Sequence, residues 1–231
     1  MLVIFDVEGV LYDEEYLPML AEKINKEDEI WEITKKGIQG EIDWEEGLRT
    51  RVDALKGIDR ATCVALAESM PIMTGAVEAC KTLKAAGWRI MAVSGGFTIM
   101  MDRLQRELGL DCVISNELVF KDGKLDGVIV NVDADKSKPA MEKIAEWGER
   151  KEDIVCVVDG ANDVKLFDIC GLGIAYRAQD VVKDMATATL EVKNLAGILD
   201  IVRRHYGIDL RPDASAGSGR RHRRHTIMHH A

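Results

Sequence analysis

The chain has 231 residues, with 31 Lys and Arg against 40 Asp and Glu, 47% hydrophobic and 31% charged residues, a balance that excludes the fibrous and intrinsically disordered classes. No apolar run approaches the roughly 20 residues that span a bilayer, and Asp6 interrupts the apolar start before a signal-peptide core can form, so neither secretion nor membrane insertion is expected. The net charge of −9 is uneven: residues 203–231 carry seven Arg and two Asp, which leaves −14 on residues 1–202, an acidic body that disfavours nucleic acid as a partner.

In chain order, Leu2–Phe5 is a short apolar run of the kind that forms a strand buried on both faces. From 13 to 70 the chain reads as helix after helix, over 14–24, 27–36, 44–55 and 60–70, without a convincing strand. This stretch is expected to be a helical cap inserted after the first strand. The pattern then alternates: helix 75–86, strand 89–93, helix Thr98–Leu108, helix 138–146, strand Ile154–Val158, helix 163–170, strand Leu172–Tyr176 and a weaker strand 186–190. Asp122-Gly123, set between alternating residues of 118–130, signals a β-hairpin. The fold class expected is α/β, a doubly wound parallel sheet. Its core spans 1–12 and 71–202, with a hairpin at about 117–130 and the cap at 13–70. Residues 203–231 read as a basic, disordered tail, with linker composition in Ala214-Ser-Ala-Gly-Ser-Gly219. Such a tail offers Arg220, Arg221, Arg223 and Arg224 to an acidic partner.

The five cysteines are an odd number and none forms a closely spaced pair, so free thiols in a reducing cytoplasm are expected. All five histidines lie within the last 27 residues. A site in the core must therefore work with carboxylates, hydroxyls and amines.

Ligands of open parallel sheets bind beyond the carboxyl ends of the strands, and here those ends carry Asp6-Val-Glu-Gly-Val10, Ser94-Gly-Gly-Phe97 and Asp159-Gly-Ala-Asn-Asp163. Carboxylates sharing one crevice repel and are costly to desolvate, so a cation or a proton is expected to compensate them. Mg2+ suits an all-oxygen set and retains water for a phosphate. Asp6, rigidly held at a strand end, has the character of a carboxylate nucleophile toward phosphorus. Ser94 with the N–H groups of Gly95 and Gly96 would cradle phosphate oxygens, Lys136 would supply a cation, and Glu8 would shuttle a proton to the leaving group and from water. Taken singly, each has a bland reading as a turn, a helix cap or surface charge; their order along successive strand ends favours the joint one.

With these residues in place the sequence resembles the haloacid dehalogenase superfamily, and within it the phosphoserine phosphatases. The resemblance covers residues 1 to about 202. It is carried by Ser94-Gly-Gly-Phe97, by Gly160-Ala-Asn-Asp163 after Asp159, by Lys121-Asp-Gly-Lys124, and by the cap segment 40–52. It implies Asp6 as nucleophile and Glu8 as general acid/base with its carbonyl on the metal. It also implies Asp159 as a metal contact, Asp163 and Asn162 supporting metal or phosphate, and Ser94, Gly95 and Lys136 on phosphate. In the cap it implies Glu15 on the substrate ammonium, Arg51 on its carboxylate, and Ile38 and Trp44 as a screen against water. The implied reaction is Mg2+-dependent hydrolysis of O-phosphoserine through an aspartyl-phosphate, a step of serine biosynthesis. Two departures stand out: Glu8 occupies a position where the family usually has Asp, and Val158 replaces the usual Gly before Asp159. The Asp-x-Glu-Gly pattern is similar to that of phosphoserine/homoserine phosphotransferases, so transfer to an alcohol acceptor stays open, as does another small phosphomonoester substrate. A non-catalytic binding protein is disfavoured by the intact set of Asp6, Ser94, Lys136 and Asp159. Lys138 competes with Lys136, which is preferred for its spacing to Asp159.

Overall fold

The computed structural model describes residues 1–39 and 41–210, Ile38 in its backbone alone. Strand β1 (Leu2–Phe5) is apolar at every position because both its faces are covered: Val3 and Phe5 enter one apolar cluster, Leu2 and Ile4 the other. The chain then forms α1 (Tyr16–Ala21), α2 (Glu27–Ile38), α3 (Trp44–Ala54), α4 (Arg60–Ser69) and α5 (Ala76–Ala85) before returning to the sheet as β2 (Arg89–Phe97). Helix α6 (Thr98–Leu108), β3 (Cys112–Lys121), β4 (Lys124–Ile129), α7 (Ser137–Trp147), β5 (Ile154–Val158), β6 (Leu172–Tyr176), α8 (Asp180–Met185), β7 (Ala188–Leu190) and α9 (Ile198–Tyr206) complete the described chain.

The seven strands lie in the order β4-β3-β2-β1-β5-β6-β7, and every pair is parallel except β3 and β4. Strand β1 therefore sits between two halves that wind away from it, Leu2 aligned with Arg89 on one side and with Ile154 on the other. The crevice at its carboxyl end is the place this topology reserves for a ligand.

The four helices α1–α4 leave and rejoin the sheet through a two-stranded neck, where the Asp13 N–H donates to the Pro71 carbonyl at 2.9 Å and the Met73 N–H to that of Leu11 at 2.8 Å. Asp43 starts α3 as an N-cap, its Oδ1 accepting from the Glu46 N–H at 2.9 Å. Tyr16, Leu20, Ile30, Leu48, Val52 and Leu55 bury the inward faces of these helices. On the far side the hairpin grips them by backbone pairing: Gly57 N to Leu125 O, Leu125 N to Ile58 O and Arg60 N to Gly123 O, each at 2.8 Å.

Four expectations need correction. The hairpin expected at about 117–130 forms, but its first strand starts earlier, since β3 begins at Cys112 and runs parallel to β2 before pairing antiparallel with β4; Asn116, of a residue type that strands disfavour, hid that first half. The expected helix 163–170 is a 3-10 segment, Ala161–Ile169, in the short connection between the adjacent strands β5 and β6. The first cap helix is shorter than expected, α1 passing into a 3-10 turn at Glu22–Ile24. Most consequential, residues 203–210 are not tail. Arg203, Arg204 and His205 form the last turn of α9, where positive charge complements the helix dipole, and Gly207 ends it in the left-handed conformation at φ 63°. The rest of the expected tail, residues 211–231 with the linker-like stretch and Arg220, Arg221, Arg223 and Arg224, lies outside the described residues.

Among the described residues all five cysteines are free thiols and no helix is long and apolar enough to cross a membrane. Leu210, 1% exposed, belongs to the larger apolar cluster, which also holds Val202 and Leu199 of α9. Leu210→Ala is accordingly expected to lower the unfolding free energy by about 2–5 kcal/mol in a urea titration; an unshifted midpoint would return this segment to the tail.

Candidate active site

Each component arrives at the crevice from the end of a different element. Asp6 follows β1, its N–H still in the sheet through the Val157 carbonyl at 3.0 Å, so the side chain that ends the ladder is rigidly aimed. The next residues turn sharply, with the N–H groups of Leu11 and Tyr12 both donating to the Val7 carbonyl at 2.8 Å. Gly9 adopts φ +81°, and a Cβ there would collide with the Asp159 carboxylate, so this turn requires glycine twice over. Ser94, Gly95 and Gly96 lie in the last turn-bound part of β2, and Asp159 follows β5. Asn162 and Asp163 sit in the 3-10 segment, and Lys136 immediately precedes α7.

The centre is an ion cluster. Lys136 Nζ lies 2.6 Å from Asp6 Oδ1 and 2.6 Å from Asp163 Oδ1, with the three side chains at most 7% exposed. Asp159 joins them, and one carboxylate oxygen each from Asp6, Asp159 and Asp163 falls within 4.8 Å of the others. Burial and the Asp6 charge push Asp163 up to about 8 against the pull of Lys136. Burial, Asp6 and Asp163 hold Asp159 well above the ordinary carboxylate range. Burial disfavours the charged form of Lys136, yet Asp163 and Asp6 outweigh it and raise its pKa. One ammonium does not neutralise three carboxylates. The donors are all hard oxygens, closely spaced, with positive charge in deficit, a set that fits a divalent cation.

Around the cluster stand the remaining groups. Glu8 Oε1 accepts the Tyr16 N–H at 2.7 Å, and burial followed by the Asp6 charge raises its pKa. Ser94, 1% exposed, accepts the Gly96 N–H on its Oγ at 2.9 Å. That contact corrects the expected cradle, because the Gly96 N–H is already spent within the loop. Asn162 Nδ2 donates to Asp163 Oδ1 at 3.0 Å. Lys138 is excluded from the cluster: exposed, it meets Asp133 at 3.3 Å on the surface.

The cap closes the crevice from above. The Trp44 indole lies over Gly95 so closely that a Cβ at 95 would fall 2.6 Å from its Cζ2. Glu15 and Arg51 line the same crevice as Asp6, Ser94 and Asp159. Burial, then Glu8 and Asp159, hold Glu15 well above the usual range, while burial lowers Arg51 against the pull of Glu15 and Glu8. Ile38 belongs to α2, but its side chain lies outside the described residues.

The sequence reading missed Asn116. Fully buried in β3, it donates from Nδ2 to the Gly95 carbonyl and accepts the N–H groups of Asn131 and Val132 on Oδ1, all at 2.8 Å. It thereby ties the Ser94–Gly95 turn to the segment leading to Lys136. An Asn inside a run otherwise apolar enough for a strand was the available signal.

A family model for haloacid dehalogenase-like hydrolases matches residues 1–167. A phosphoserine phosphatase of Archaeoglobus fulgidus is 36% identical over 87% of this chain, although the chain spans only 60% of that protein. One of Methanocaldococcus jannaschii is 34% identical and matches over 87% of this chain and 97% of its own. The solved structure of a phospho-aspartyl intermediate analogue of phosphoserine phosphatase superposes with a TM-score of 0.82 at 35% identity, covering 87% of this chain and 97% of the other.

The acid cluster yields a pH test. A raised carboxyl pKa means that the fold keeps a proton the unfolded chain has already released, so Asp163 subtracts stability as pH rises from its ordinary 3.8 toward about 8. A divalent cation binds the ionised form and cancels this loss. The increase in Tm on adding the cation is therefore expected to be larger near pH 8 than near pH 5 and to shrink in Asp163→Asn. Calorimetry that finds equal increments at both pH values would remove the cluster as the cation site.

Proposed function

The chain belongs to the haloacid dehalogenase-like hydrolases, and we propose that it hydrolyses O-phosphoserine to serine and phosphate in a Mg2+-dependent reaction. Support for this substrate comes above all from Glu15 and Arg51. They are opposite charges in one crevice, yet among the described residues neither forms an ion pair. A buried guanidinium and a buried carboxyl group that do not meet each other are costly to ionise unless a ligand completes both, and a ligand with an ammonium and a carboxylate on one carbon does so. The similarity to phosphoserine phosphatases over nearly the full length of the Methanocaldococcus protein supports the same choice.

Asp6, Asp159, Asp163 and the Glu8 carbonyl would hold the Mg2+, which supplies charge neutralisation to the phosphoryl oxygens. The rest is done by the chain. Ser94 and the Gly95 N–H bind the phosphoryl group, and Lys136 balances the charge beside Asp6. An Asp6 carboxylate oxygen attacks phosphorus while the bond to the seryl oxygen breaks. Glu8, whose pKa is raised by burial and by the Asp6 charge, gives a proton to the departing alkoxide. The carboxylate left on Glu8 then takes a proton from water, the resulting hydroxide attacks the phosphorus, and the phosphoryl bond to Asp6 breaks. Phosphate is released and both carboxyl groups return to their starting states. Trp44, seated over Gly95, keeps bulk water out meanwhile.

The additional methylene of Glu8 is accommodated by its anchor on the Tyr16 N–H and by the space above Gly96, where a Cβ would lie only 2.8 Å from Glu8 Oε2. Val158 is fully buried in the apolar layer with Ile4 and Val93.

Phosphate release from O-phosphoserine, set beside sugar, nucleotide and aryl phosphates with Mg2+ or chelator, is the direct assay; strong preference for phosphoserine that vanishes with chelator is expected. Release from other esters alone would keep the chemistry of Asp6 and discard the amino-acid reading. Asp6→Asn is expected to reduce kcat by at least about 10³-fold with an unchanged circular-dichroism spectrum. Arg51→Ala is expected to raise KM for phosphoserine about 10- to 100-fold, the loss of one charge-assisted contact, and to affect an aryl phosphate far less. Equal effects on both substrates would refute the assignment of Arg51.

A further inference from the structure

Thr34, on α2, is 1% exposed and lines the crevice. Its Oγ1 donates to the Ile30 carbonyl at 2.8 Å, the backward bond that a helical threonine makes anywhere and that alone carries no meaning. The second contact of that oxygen is different, because it crosses to another helix and accepts from Arg51 Nη1 at 3.1 Å. Arg51 Nε is fixed at the same time to the Gly47 carbonyl, one turn back on α3, at 3.2 Å. The guanidinium is thus pinned at two points by neutral acceptors, and its charge is left uncommitted.

We infer that Thr34 is a positioning residue for substrate specificity: its hydroxyl holds the Arg51 guanidinium where it receives a substrate carboxylate and away from Glu15. This rests on the reading of Arg51 as the group that recognises that carboxylate. The hydroxyl has a single hydrogen, spent on Ile30, so the lone pairs that remain are turned to Arg51, and a donor already engaged is a better acceptor. Arginine has many rotamers, and a guanidinium set beforehand loses less freedom when a carboxylate arrives. Without the hydroxyl, the buried Nη1 group lacks its partner and must find another. Glu15 is the foremost opposite charge acting on Arg51. An Arg51–Glu15 ion pair would satisfy both residues and fill the gap meant for an amino acid.

Thr34→Val keeps the shape of the side chain and removes only the acceptor, while Thr34→Ser keeps the acceptor. Both are compared with wild type and Arg51→Ala in the full-length, Mg2+-loaded enzyme, using O-phosphoserine and an aryl phosphate without a carboxylate. Inhibition by L-serine and by inorganic phosphate is measured alongside. For Thr34→Val the ratio of KM for phosphoserine to KM for the aryl ester is expected to rise about tenfold, with weaker inhibition by serine relative to phosphate, and Thr34→Ser to recover most of the difference. A purely structural threonine would lower Tm and leave that ratio unmoved, which overturns the inference. If Arg51→Ala changes the ratio and Thr34→Val does not, the inference fails while the role of Arg51 survives. If Arg51→Ala leaves the ratio unchanged, both fall.

Discussion

Everything at this site depends on the buried ammonium of Lys136 between Asp6 and Asp163. Two carboxylates held at 2.6 Å from one Nζ bring together the end of β1 and the 3-10 segment after β5, and Lys136 itself comes from the start of α7. Removing the ammonium would leave carboxylates without compensation in a low-dielectric crevice, a far larger penalty than the loss of a surface pair. The same cluster remains short of positive charge once Asp159 is counted. That deficit is what makes the acidic group formed by this fold a fit for a divalent cation.

The cap serves a second electrostatic purpose. The core gathers three carboxylates around the single ammonium of Lys136. The cap instead brings Glu15 and Arg51, one of each sign, and keeps them apart. Trp44 closes on Gly95, and the hairpin holds the other end of the cap through three backbone bonds at 2.8 Å. Strand β3 connects both tasks: its Asn116 braces the Gly95 turn, and its continuation carries the hairpin that grips the cap. The carboxylate cluster of the core and the Glu15–Arg51 pair of the cap thus sit on separate layers braced by one strand.

Much of this was legible in the chain. The apolar runs Leu2–Phe5, Ile154–Val158 and Leu172–Tyr176 are strands because burial on both faces tolerates nothing else, and the chemical residues follow them because side chains that end a parallel strand have nowhere to point but the crevice. What escaped reading were elements defined by partners. The polar Asn116 looks out of place in a strand until the carbonyl and two N–H groups it satisfies are seen. Arg203, Arg204 and His205 look like the start of a basic tail until the buried face of α9 is known. Thr34 carries no signal at all in sequence, since its partner is 17 residues away on another helix.

The sequence by itself determined the fold class, the inserted helical stretch and the membership in this hydrolase family, because periodicity and short motifs are local properties of the chain. The preference for Lys136 over Lys138 also came from spacing, but only the tertiary structure shows which of the two enters the carboxylate cluster: one ammonium is sealed among carboxylates and the other faces solvent. Likewise, only the packing of α2 against α3 brings the Thr34 hydroxyl to Arg51, beside the Gly47 carbonyl of its own helix. Distances across the fold and the desolvation they impose are set by residues remote in sequence, and no local pattern encodes them.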